Sequence, residues 1–414
     1  MAYEELKKLY YTDPSSYEAN YQARFGSPYA HHIAFSIGAS PAFFVVTPEL
    51  QDMMLAIQRA DKDILRLCSS LPGAAIAQFS SRCLIDEIVL TNSIEGVHST
   101  RREINDALSA LKTQDKRKRF QGLVQKYVML QQREHLSLSS CQDIRQIYDD
   151  LVLDEVRQDD PENVPDGSIF RKGPVSVYSS AQREIHQGLY PEEKIIEAMD
   201  LALSYLSDER EELLYRTAVF HYLLGYIHPF YDGNGRLNRF ISSYMLSKEL
   251  ESVLSYRLSY TIKENIDRYY QAFRICNDPL NKGDLTPFLL MFIEIIRKSI
   301  VKLREALKEK LERLEHYANQ IEFFPNAKDN LFFRLYYVLI QAELFSEHGI
   351  STLELLEHLD LSRVTLRARL SAISSNGFLK VQQIKKEKFY GMDLPALDAY
   401  IDRLSQSHNK EKQP

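Results

Sequence analysis

Twelve consecutive residues, 228–239, hold the side chains of this sequence that are best suited to chemistry. They read HPFYDGNGRLNR and lie between two strongly apolar stretches, 213–227 and 240–250. The helical periodicity of both stretches predicts a helix, a tight loop and a second helix. The polar loop is therefore expected at the start of a helix, where backbone amides can meet a ligand.

The middle of this loop is suited to binding phosphate. Gly233 and Gly235 flank Asn234 and allow backbone conformations that are closed to most residues, so consecutive amides can point inward. Arg236 and Arg239 are three residues apart in the first helical turn and can offer forked donors to further oxygens. The spacing predicts an anion site that could take a di- or triphosphate.

Two further side chains complete a reactive set. Asp232 could hold a magnesium ion that bridges to the phosphates, and His228, as a neutral imidazole, could remove a proton from an attacking hydroxyl. Taken singly, each is more often structural, because a histidine before proline commonly ends a helix and Asp-Gly-Asn-Gly is a common turn. Together within twelve residues they indicate in-line transfer of a phosphorus group.

The composition is that of a soluble globular protein with two or three domains. The chain has 414 residues, of which 44% are apolar, and its net charge of -6 argues against nucleic acid as the main partner. The four cysteines form no CxxC pair, so neither a zinc site nor a disulfide framework is expected, and a cytoplasmic location fits best. The sequence predicts neither a secretion signal nor a membrane span.

The periodicity along the chain predicts a mainly α-helical fold with a few short hairpins. We expect an N-terminal helical region over residues 1–120 and a catalytic core over 121–299. Within the core, residues 161–174 are rich in proline, glycine and aspartate, and they predict a loop that leads into a strand or hairpin. From residue 300 apolar positions step by three and four, which predicts a connector helix over 300–325 or a dimer seam.

Residues 326–414 are predicted to form a winged helix-turn-helix. Ser351 and Glu354 can form a capping box before one helix, Ser362 can cap a second, and two strand-like runs around a KKEK turn fit a wing. From Asp329 onward the chain holds eleven lysines and arginines and eleven acidic residues. This balance lacks the positive excess of a strong DNA binder, so a DNA-binding regulator and a protein-contact or dimerisation module both stay open.

The loop sequence HPFYDGNGRLNR resembles the Fic motif, HPFx(D/E)GNGRxxR, at every specified position. The resemblance implies a Fic-fold helical bundle with a β-hairpin flap, and transfer of AMP from ATP to a Ser, Thr or Tyr hydroxyl of a target protein or of the enzyme itself. It implies that His228 is the general base, Asp232 the magnesium ligand and Asn234 an α-phosphate contact. The loop glycines would shape the anion hole, and Arg236 and Arg239 would hold the β- and γ-phosphates.

Two flanking segments also resemble the family. Arg171, followed by Val175 and Val177, resembles the flap that docks a target segment by strand addition near the general base. An ordinary edge hairpin is an equal alternative there. Tyr270 and Asn277 resemble the adenine side of the family's site, where an aromatic ring and an amide contact the base. A core role for the tyrosine is an equal alternative.

Residues 91–96, TNSIEG, fit the end of a helix with Gly96 as its C-terminal cap. Glu95 in the last turn opposes the negative end of the helix dipole, so a cationic partner is expected. The segment resembles the Fic inhibitory motif, (S/T)xxxE(G/N), in the class with an N-terminal inhibitory helix. The resemblance implies that Glu95 pairs with Arg239 and leaves ATP bound unproductively. A solvent-facing glutamate is the plain alternative.

Further alternatives stay open within the same family resemblance. Some relatives use other donors and transfer UMP, phosphocholine or phosphate. In others the inhibitory glutamate supports removal of AMP. The sequence names neither the target protein nor the oligomeric state.

Overall fold

The computed structural model describes residues 3–113, 118–178, 184–251, 257–384 and 387–411. The chain forms two compact units. The first combines Met1–Lys62 with Leu84–Leu303, and the second combines Asp63–Cys83 with Arg304–Pro414. Each unit is assembled from segments that are distant in sequence. A division of the chain into consecutive ranges, as predicted from the sequence, cannot describe such units. The four-part division at residues 120, 299 and 325 stays a prediction.

Helices make up most of the described chain, which confirms the predicted mainly α-helical fold. As far as residue 159 they are α1 (Leu6–Thr12), α2 (Pro14–Phe25), α3 (Pro48–Ser70), α4 (Gly73–Ile94), α5 (Arg101–Thr113), α6 (Gln121–Gln131), α7 (Cys141–Tyr148) and α8 (Asp154–Asp159). Beyond it they are α9 (Glu192–Leu206), α10 (Leu213–Ile227), α11 (Asn234–Glu249), α12 (Leu258–Glu264), α13 (Ile266–Asn277), α14 (Thr286–Ala318), α15 (Asn330–Phe345), α16 (Thr352–Leu359), α17 (Arg363–Ser375) and α18 (Leu394–Glu411).

The strands are short and antiparallel. Strand β1 (Ala30–Ile37) pairs with β2 (Ser40–Val45), and β3 (Ser176–Tyr178) pairs with β4 (Glu184–Gln187). In a third sheet, β7 (Glu387–Met392) lies between β5 (Ile350–Ser351) and β6 (Leu379–Ile384).

The β1–β2 hairpin lies in the N-terminal region that the sequence analysis expected to be helical. Its sequence does carry a strand signal, because Ile33, Phe35 and Ile37 alternate with more exposed residues and are buried. Gly38 adopts a φ of 58°, a conformation that glycine reaches without strain, and so lets the chain reverse. The period of two in this segment therefore produces strands rather than a helix.

Helices α10 and α11 form the centre of the first unit. Twelve of the fifteen residues of α10 and twelve of the sixteen residues of α11 are buried. A helix that is covered on every side must pack against several neighbours, and α10 packs against both α9 and α11. The loop between α10 and α11 is therefore held firmly at both ends.

Helices α7 and α8 continue into one another through a π-helical turn, Asp149–Leu153. Helix α7 begins with a capping box. The Ser140 hydroxyl accepts the Asp143 amide hydrogen, and the Asp143 carboxylate accepts the Ser140 amide hydrogen. The π-helical turn lies beside the 228–239 loop, since its Val152 is the side chain nearest to where a Cβ on Gly233 would lie. Such turns are frequent at functional sites.

In the second unit, α16, α17 and the three-stranded sheet occupy the segments in which the sequence predicted a winged helix-turn-helix. Ser351 forms the expected capping box with Glu354, and Ser362 caps α17 by accepting the Thr365 amide hydrogen. Residues 385 and 386 of the expected wing turn lie outside the described residues.

Helix α14 runs for 33 residues and includes most of the predicted connector. Its apolar positions Ile300, Leu303 and Leu307 are buried, which favours packing within the chain over a dimer seam. Neither α14 nor any other helix in the described ranges combines the length and apolarity needed to cross a membrane.

Glu192, the first residue of α9, holds the chain segment that precedes the β3–β4 hairpin. Its carboxylate accepts hydrogen bonds from the backbone amides of Ser168 (3.0 Å), Ile169 (2.8 Å) and Phe170 (2.8 Å). Burial raises the pKa of this carboxyl, but the amide donors outweigh that effect and bring the pKa below its ordinary 4.5. These three hydrogen bonds, which we call the Glu192 clamp, fix the position of the next residue along the chain, Arg171.

We expect Glu192→Gln to destabilise the protein by about 1–3 kcal/mol near neutral pH, because a neutral amide is a weaker acceptor for three backbone donors. Since the folded-state pKa is depressed, the contribution of Glu192 is complete above the unfolded-state pKa and is lost as the pH falls through the folded-state value. Urea denaturation near neutrality and in acid measures both effects. Glu193→Gln, at the neighbouring exposed position, is the control. Equal stability losses in the two variants would contradict the clamp.

Candidate active site

The loop between α10 and α11 is held by its own polar groups. His228 ends α10 in a left-handed conformation, with a φ of 51°, and Pro229 after it cannot continue the helix. Asn234, buried at the start of α11, accepts the Phe230 amide hydrogen at 3.0 Å and donates to the Phe230 carbonyl at 2.8 Å. The Asn234 side chain, expected to contact an α-phosphate, is thus engaged in shaping the loop.

Gly233 sets the entry into α11. It has a φ of 80°, and an added Cβ would lie 2.9 Å from Val152 and 3.2 Å from Tyr148. Only glycine fits this conformation and this gap without strain. The start of α11, with the backbone amides that have no partner inside the helix, is thereby placed at the loop.

Arg171 is fully buried and donates hydrogen bonds to three backbone carbonyls. Its Nε bonds to His228 (2.9 Å), its Nη1 to Gly173 and its Nη2 to Leu189 (2.8 Å). Burial lowers the pKa of the guanidinium to about 10, so it stays charged at neutral pH. The side chain expected to dock a target is thus an internal anchor that ties the hairpin segment to the 228–239 loop.

The β3–β4 hairpin lies beside His228. The Gly188 amide bonds to the Val175 carbonyl at 2.9 Å, and the backbone of Val177 pairs with β4. A Cβ added to Gly188 would lie 3.0 Å from the Cβ of His228 and 3.1 Å from Val175, so the base of the hairpin lies close to His228. Residues 179–183, which join the two strands, lie outside the described residues.

His228 is half-buried, and its surroundings keep the imidazole neutral. Burial first, and the Arg171 guanidinium second, lower the pKa of His228 to about 4, while the Glu95 carboxylate acts in the opposite sense. An unprotonated imidazole at neutral pH can accept a proton. The side chain therefore has the protonation state that a general base needs.

Arg236 is only 1% exposed, yet part of its hydrogen-bonding capacity is unused. Its Nε and Nη1 have no hydrogen-bond partner within the described residues. Two carboxylate oxygens lie nearby without bonding to it: Asp232 Oδ2 is 3.6 Å from Nη2, and Glu155 Oε2 is 3.8 Å from Nη1. A buried cation with unused donors is suited to binding a further anion.

Asp232 is the more accessible of these two carboxylates, with 40% of its side chain exposed. Its Oδ1 accepts the Gly233 amide hydrogen at 2.6 Å. One such carboxylate, completed by phosphate oxygens and water, is the usual protein contribution to a magnesium site. Across the described ranges no group of three or more His, Cys, Asp or Glu side chains could hold a metal ion, so a metal here would depend on bound phosphates.

The end of α4 brings Glu95 against Arg239. Arg239 donates from Nη2 to Glu95 Oε1 at 2.7 Å, and it also donates to the hydroxyl (2.8 Å) and carbonyl (3.0 Å) of Thr91. Burial raises the pKa of Glu95, but the guanidinium outweighs burial and the net pKa is lowered, so the carboxylate is ionised. Gly96, with a φ of 76°, follows the helix as expected.

The Glu95 carboxylate also covers Gly235. A Cβ added to Gly235 would lie 2.0 Å from Glu95 Oε1 and 2.9 Å from Arg239 Nη1. Negative charge is favourable at the N-terminus of a helix, and a carboxylate at the start of α11 takes the region where a phosphate would be expected. Glu95 therefore both neutralises Arg239 and fills part of the expected anion site.

Tyr270 and Asn277, the residues expected on the adenine side, both lie on α13. Tyr270 is half-buried and meets Tyr269 edge-on, with ring centroids 5.5 Å apart. Asn277 accepts a hydrogen bond from the Tyr222 hydroxyl at 2.6 Å, and its buried Nδ2 has no partner in the part of the chain that the structure describes. Tyr269 bonds to His221 at 2.7 Å and belongs to the core. The unused amide donor of Asn277 suits recognition of a ring nitrogen.

Two buried carboxyls near the arginines were not predicted from the sequence. Glu87 lies two turns before Glu95 on α4 and accepts hydrogen bonds from the amide and hydroxyl of Ser259. Glu155 on α8 accepts the Phe120 amide hydrogen at 3.1 Å. Burial raises the pKa of each to about 7. The spacing of eight residues could have indicated Glu87, whereas nothing in the sequence around Glu155 marks it.

Comparison with known proteins agrees with this geometry. The model of the Fic/DOC family matches residues 138–246, which include the whole 228–239 loop, all of α10 and most of α11. This chain contains a Fic domain. The matched segment, its Fic domain, falls within the first unit.

Two known proteins are similar to this chain. The protein adenylyltransferase Fic of Drosophila yakuba is 30% identical over 83 residues, which span 20% of this chain and only 15% of that protein. A crystal structure of a Fic family protein from Desulfovibrio desulfuricans G20 superposes with a TM-score of 0.51 and 19% identity, covering 84% of this chain and 97% of that chain. The structural likeness shows the Fic fold.

We expect the His228 imidazole to remain neutral down to about pH 4 in the free protein, because burial and Arg171 lower its pKa. An NMR pH titration of labelled histidine rings measures this, with His228→Ala to assign the resonance. His135→Ala, at an exposed position, controls for the removal of a histidine. If His228 titrated at its ordinary 6.5, the electrostatic account of this base would be wrong.

We expect Gly235→Ala to destabilise the wild type by about 1–3 kcal/mol, because the new methyl group must displace the Glu95 carboxylate from Arg239. In a Glu95→Gly background the same substitution should cost far less, since alanine is otherwise preferred to glycine in a helix. Urea denaturation of all four proteins gives the coupling energy directly. A coupling near zero would show that Glu95 does not occupy this position in solution.

Proposed function

We propose that this Fic domain transfers AMP from ATP to a Ser, Thr or Tyr hydroxyl of a target protein, or of the chain itself, and that Glu95 restrains the reaction. One juxtaposition carries the proposal: a neutral His228 lies at the same loop as two buried arginines, Arg236 with unused donors and Arg239 neutralised by Glu95. The adenylyltransferase name of the Drosophila yakuba relative supports ATP as the donor.

In this proposal His228 removes the proton from the target hydroxyl as its oxygen attacks the α-phosphorus of ATP. The new oxygen–phosphorus bond joins AMP to the target, the bond to the bridging oxygen breaks, and pyrophosphate leaves with the electron pair. Arg236 and Arg239 stabilise the charge on the β- and γ-phosphates. The first backbone amides of α11 hold the α-phosphate, and Asn234 supports them through the loop, because its side chain is bonded to Phe230.

Asp232 is the residue we assign to magnesium, which when bound neutralises phosphate charge. On the adenine side we assign Tyr270 to the ring face and the unused Nδ2 of Asn277 to a ring nitrogen. Docking of the target is assigned to the β3–β4 edge, with Val175 and Val177, by strand addition. Pairing through the backbone constrains target identity little, which is consistent with the lack of any target signal in the sequence.

Restraint by Glu95 follows from charge and space. While its carboxylate pairs with Arg239, the γ-phosphate lacks that ligand, and two like charges would have to share the start of α11. ATP could then bind only in an arrangement unsuited to in-line attack. Displacement of Glu95 would free Arg239 to bind the γ-phosphate and would clear the start of α11 for the phosphates.

A second activity, removal of AMP from a modified target, is favoured by one observation. Glu95 is an ionised carboxylate that acts electrostatically on His228, so it could orient an attacking water beside the base. Protein labelled by the Glu95→Gly variant is a ready substrate for this test. Release of AMP by the wild type but not by Glu95→Gln would support the second activity, and equal release by both would exclude this role for Glu95.

We also propose that the protein works in the cytoplasm. The four cysteines are scattered along the sequence and form no CxxC pair. This agrees with a reducing compartment.

We expect Glu95→Gly to raise incorporation of label from α-labelled ATP at least about tenfold over the wild type, because it frees Arg239 and the start of α11. Adding His228→Ala should reduce the labelling of that variant by roughly 10²–10⁴-fold. Incorporation is measured with magnesium, both into the protein itself and into cell lysate.

Matched controls for this experiment are Glu134→Gly and His135→Ala, which alter the same residue types at exposed positions. Both should leave labelling unchanged. No labelling by Glu95→Gly, despite ATP binding measured by calorimetry, would reject AMP transfer and direct attention to another donor such as UTP.

A further inference from the structure

The charges of the second unit are strongly segregated along its sequence. Residues 329–414 hold eleven lysines and arginines and eleven acidic residues, a balance that argues against binding to nucleic acid. Residues 361–392 alone, however, hold seven lysines and arginines and a single acidic residue, Glu387. Within residues 329–414, seven of the eleven positive charges thus lie in 361–392, and ten of the eleven acidic residues lie outside that segment.

Helix α17 has one buried face and one polar face. Its buried face is formed by Leu366, Leu370 and Ile373. The rest of the helix surface is largely exposed, carries no acidic residue and includes small side chains that allow close approach of another molecule. The exposed residues are Arg363, Val364, Arg367, Ala368, Ser371, Ser374 and Ser375.

The three arginines of α17 differ in their surroundings. Arg369 is held by the chain itself, since it pairs with Asp329 at 2.7 Å and lies over the ring of Phe332. Arg363 and Arg367, one helical turn apart on the exposed face, form no ion pair with any described residue. Two arginines of the helix thus remain available to an outside partner while the third is used internally.

Val364 gives this surface an unusual apolar element. It is the second residue of α17 and is 80% exposed. A single exposed apolar residue needs no explanation by itself. Between two arginines at the start of a helix, however, it matches the chemistry of the DNA major groove, where thymine presents a methyl group and guanine presents paired acceptors.

We propose that the second unit binds duplex DNA through α17 and strand β7. Helix α17 follows α16 after a three-residue connection, and Ser362 caps its N-terminus. Its first turns can therefore enter the major groove as the second helix of a helix-turn-helix does. Arg363 and Arg367 contact guanine edges or phosphates and Val364 contacts thymine methyl groups. Lys388 of β7 contacts the DNA backbone.

The test uses the full-length chain and fluorescein-labelled duplexes of random sequence, about two helical turns (~20 bp) long. We expect binding that weakens steeply between about 50 and 200 mM salt, because displacement of counterions from phosphates drives it. Arg363→Ala/Arg367→Ala should weaken binding at least about tenfold and reduce the salt slope by up to about two. Circular dichroism of the variant verifies that α17 remains folded.

The matched control is Arg334→Ala/Arg403→Ala, which removes the same charge from exposed positions of the same unit and should bind as the wild type does. The proposal is overturned if the wild type does not bind at low salt, if both double variants bind equally, or if single-stranded RNA competes better than duplex DNA. Because Arg363 and Arg367 lie outside the Fic domain, AMP transfer by their double variant should be unchanged. DNA binding can therefore fail or succeed independently of the proposed activity.

Discussion

Two positive charges buried at the start of α11 are the constraint on which the first unit depends. Arg236 and Arg239 each have 1% of their side chain exposed, and a guanidinium removed from water needs an anion or several acceptors. Arg239 is satisfied by Glu95 and Thr91, whereas Arg236 has only carboxylates at 3.6 and 3.8 Å. The burial of α10 and α11 keeps both charges in place although they are not fully compensated. An anionic ligand at the start of α11 would accept hydrogen bonds from the unused donors of Arg236.

A third guanidinium, that of Arg171, contributes to the neutral state of the proposed base. Burial and the guanidinium of Arg171 keep His228 neutral, and Arg171 also bonds to the His228 carbonyl. Arg171 therefore holds the backbone of His228 and, after burial, contributes most to keeping its imidazole neutral. Phosphates bound nearby would bring negative charge and raise the pKa of His228 again, so the base would strengthen as the substrate arrives. Glu95 already acts in that sense in the ligand-free protein, so one carboxylate pairs with Arg239 and also acts electrostatically on the base.

In the second unit, net charge and charge distribution lead to different conclusions. An even balance of charges over residues 329–414 disfavours a nucleic-acid partner, yet seven of the eleven positive charges and only one of the eleven negative charges fall in 361–392. Electrostatic attraction depends on the local field at a surface, and that field is set by which charges are exposed together. The internal pairing of Arg369 and the exposure of Arg363 and Arg367 are properties of packing that a residue count cannot supply.

The helices, the 228–239 loop and the cap after Glu95 could be predicted because consecutive residues encode each of them, through apolar periodicity, glycine and proline. The hairpin β1–β2 had such a signal and was missed. The pairing of Glu95 with Arg239, 144 residues apart, was expected only through family resemblance. Tertiary structure alone decided that Arg171 is an internal anchor and that the Asn234 side chain is engaged within the loop. Both outcomes depend on the segments that pack around Arg171 and Asn234, because these segments exclude water and supply the backbone groups to which the side chains bond. The order of residues along the chain does not specify which segments pack there.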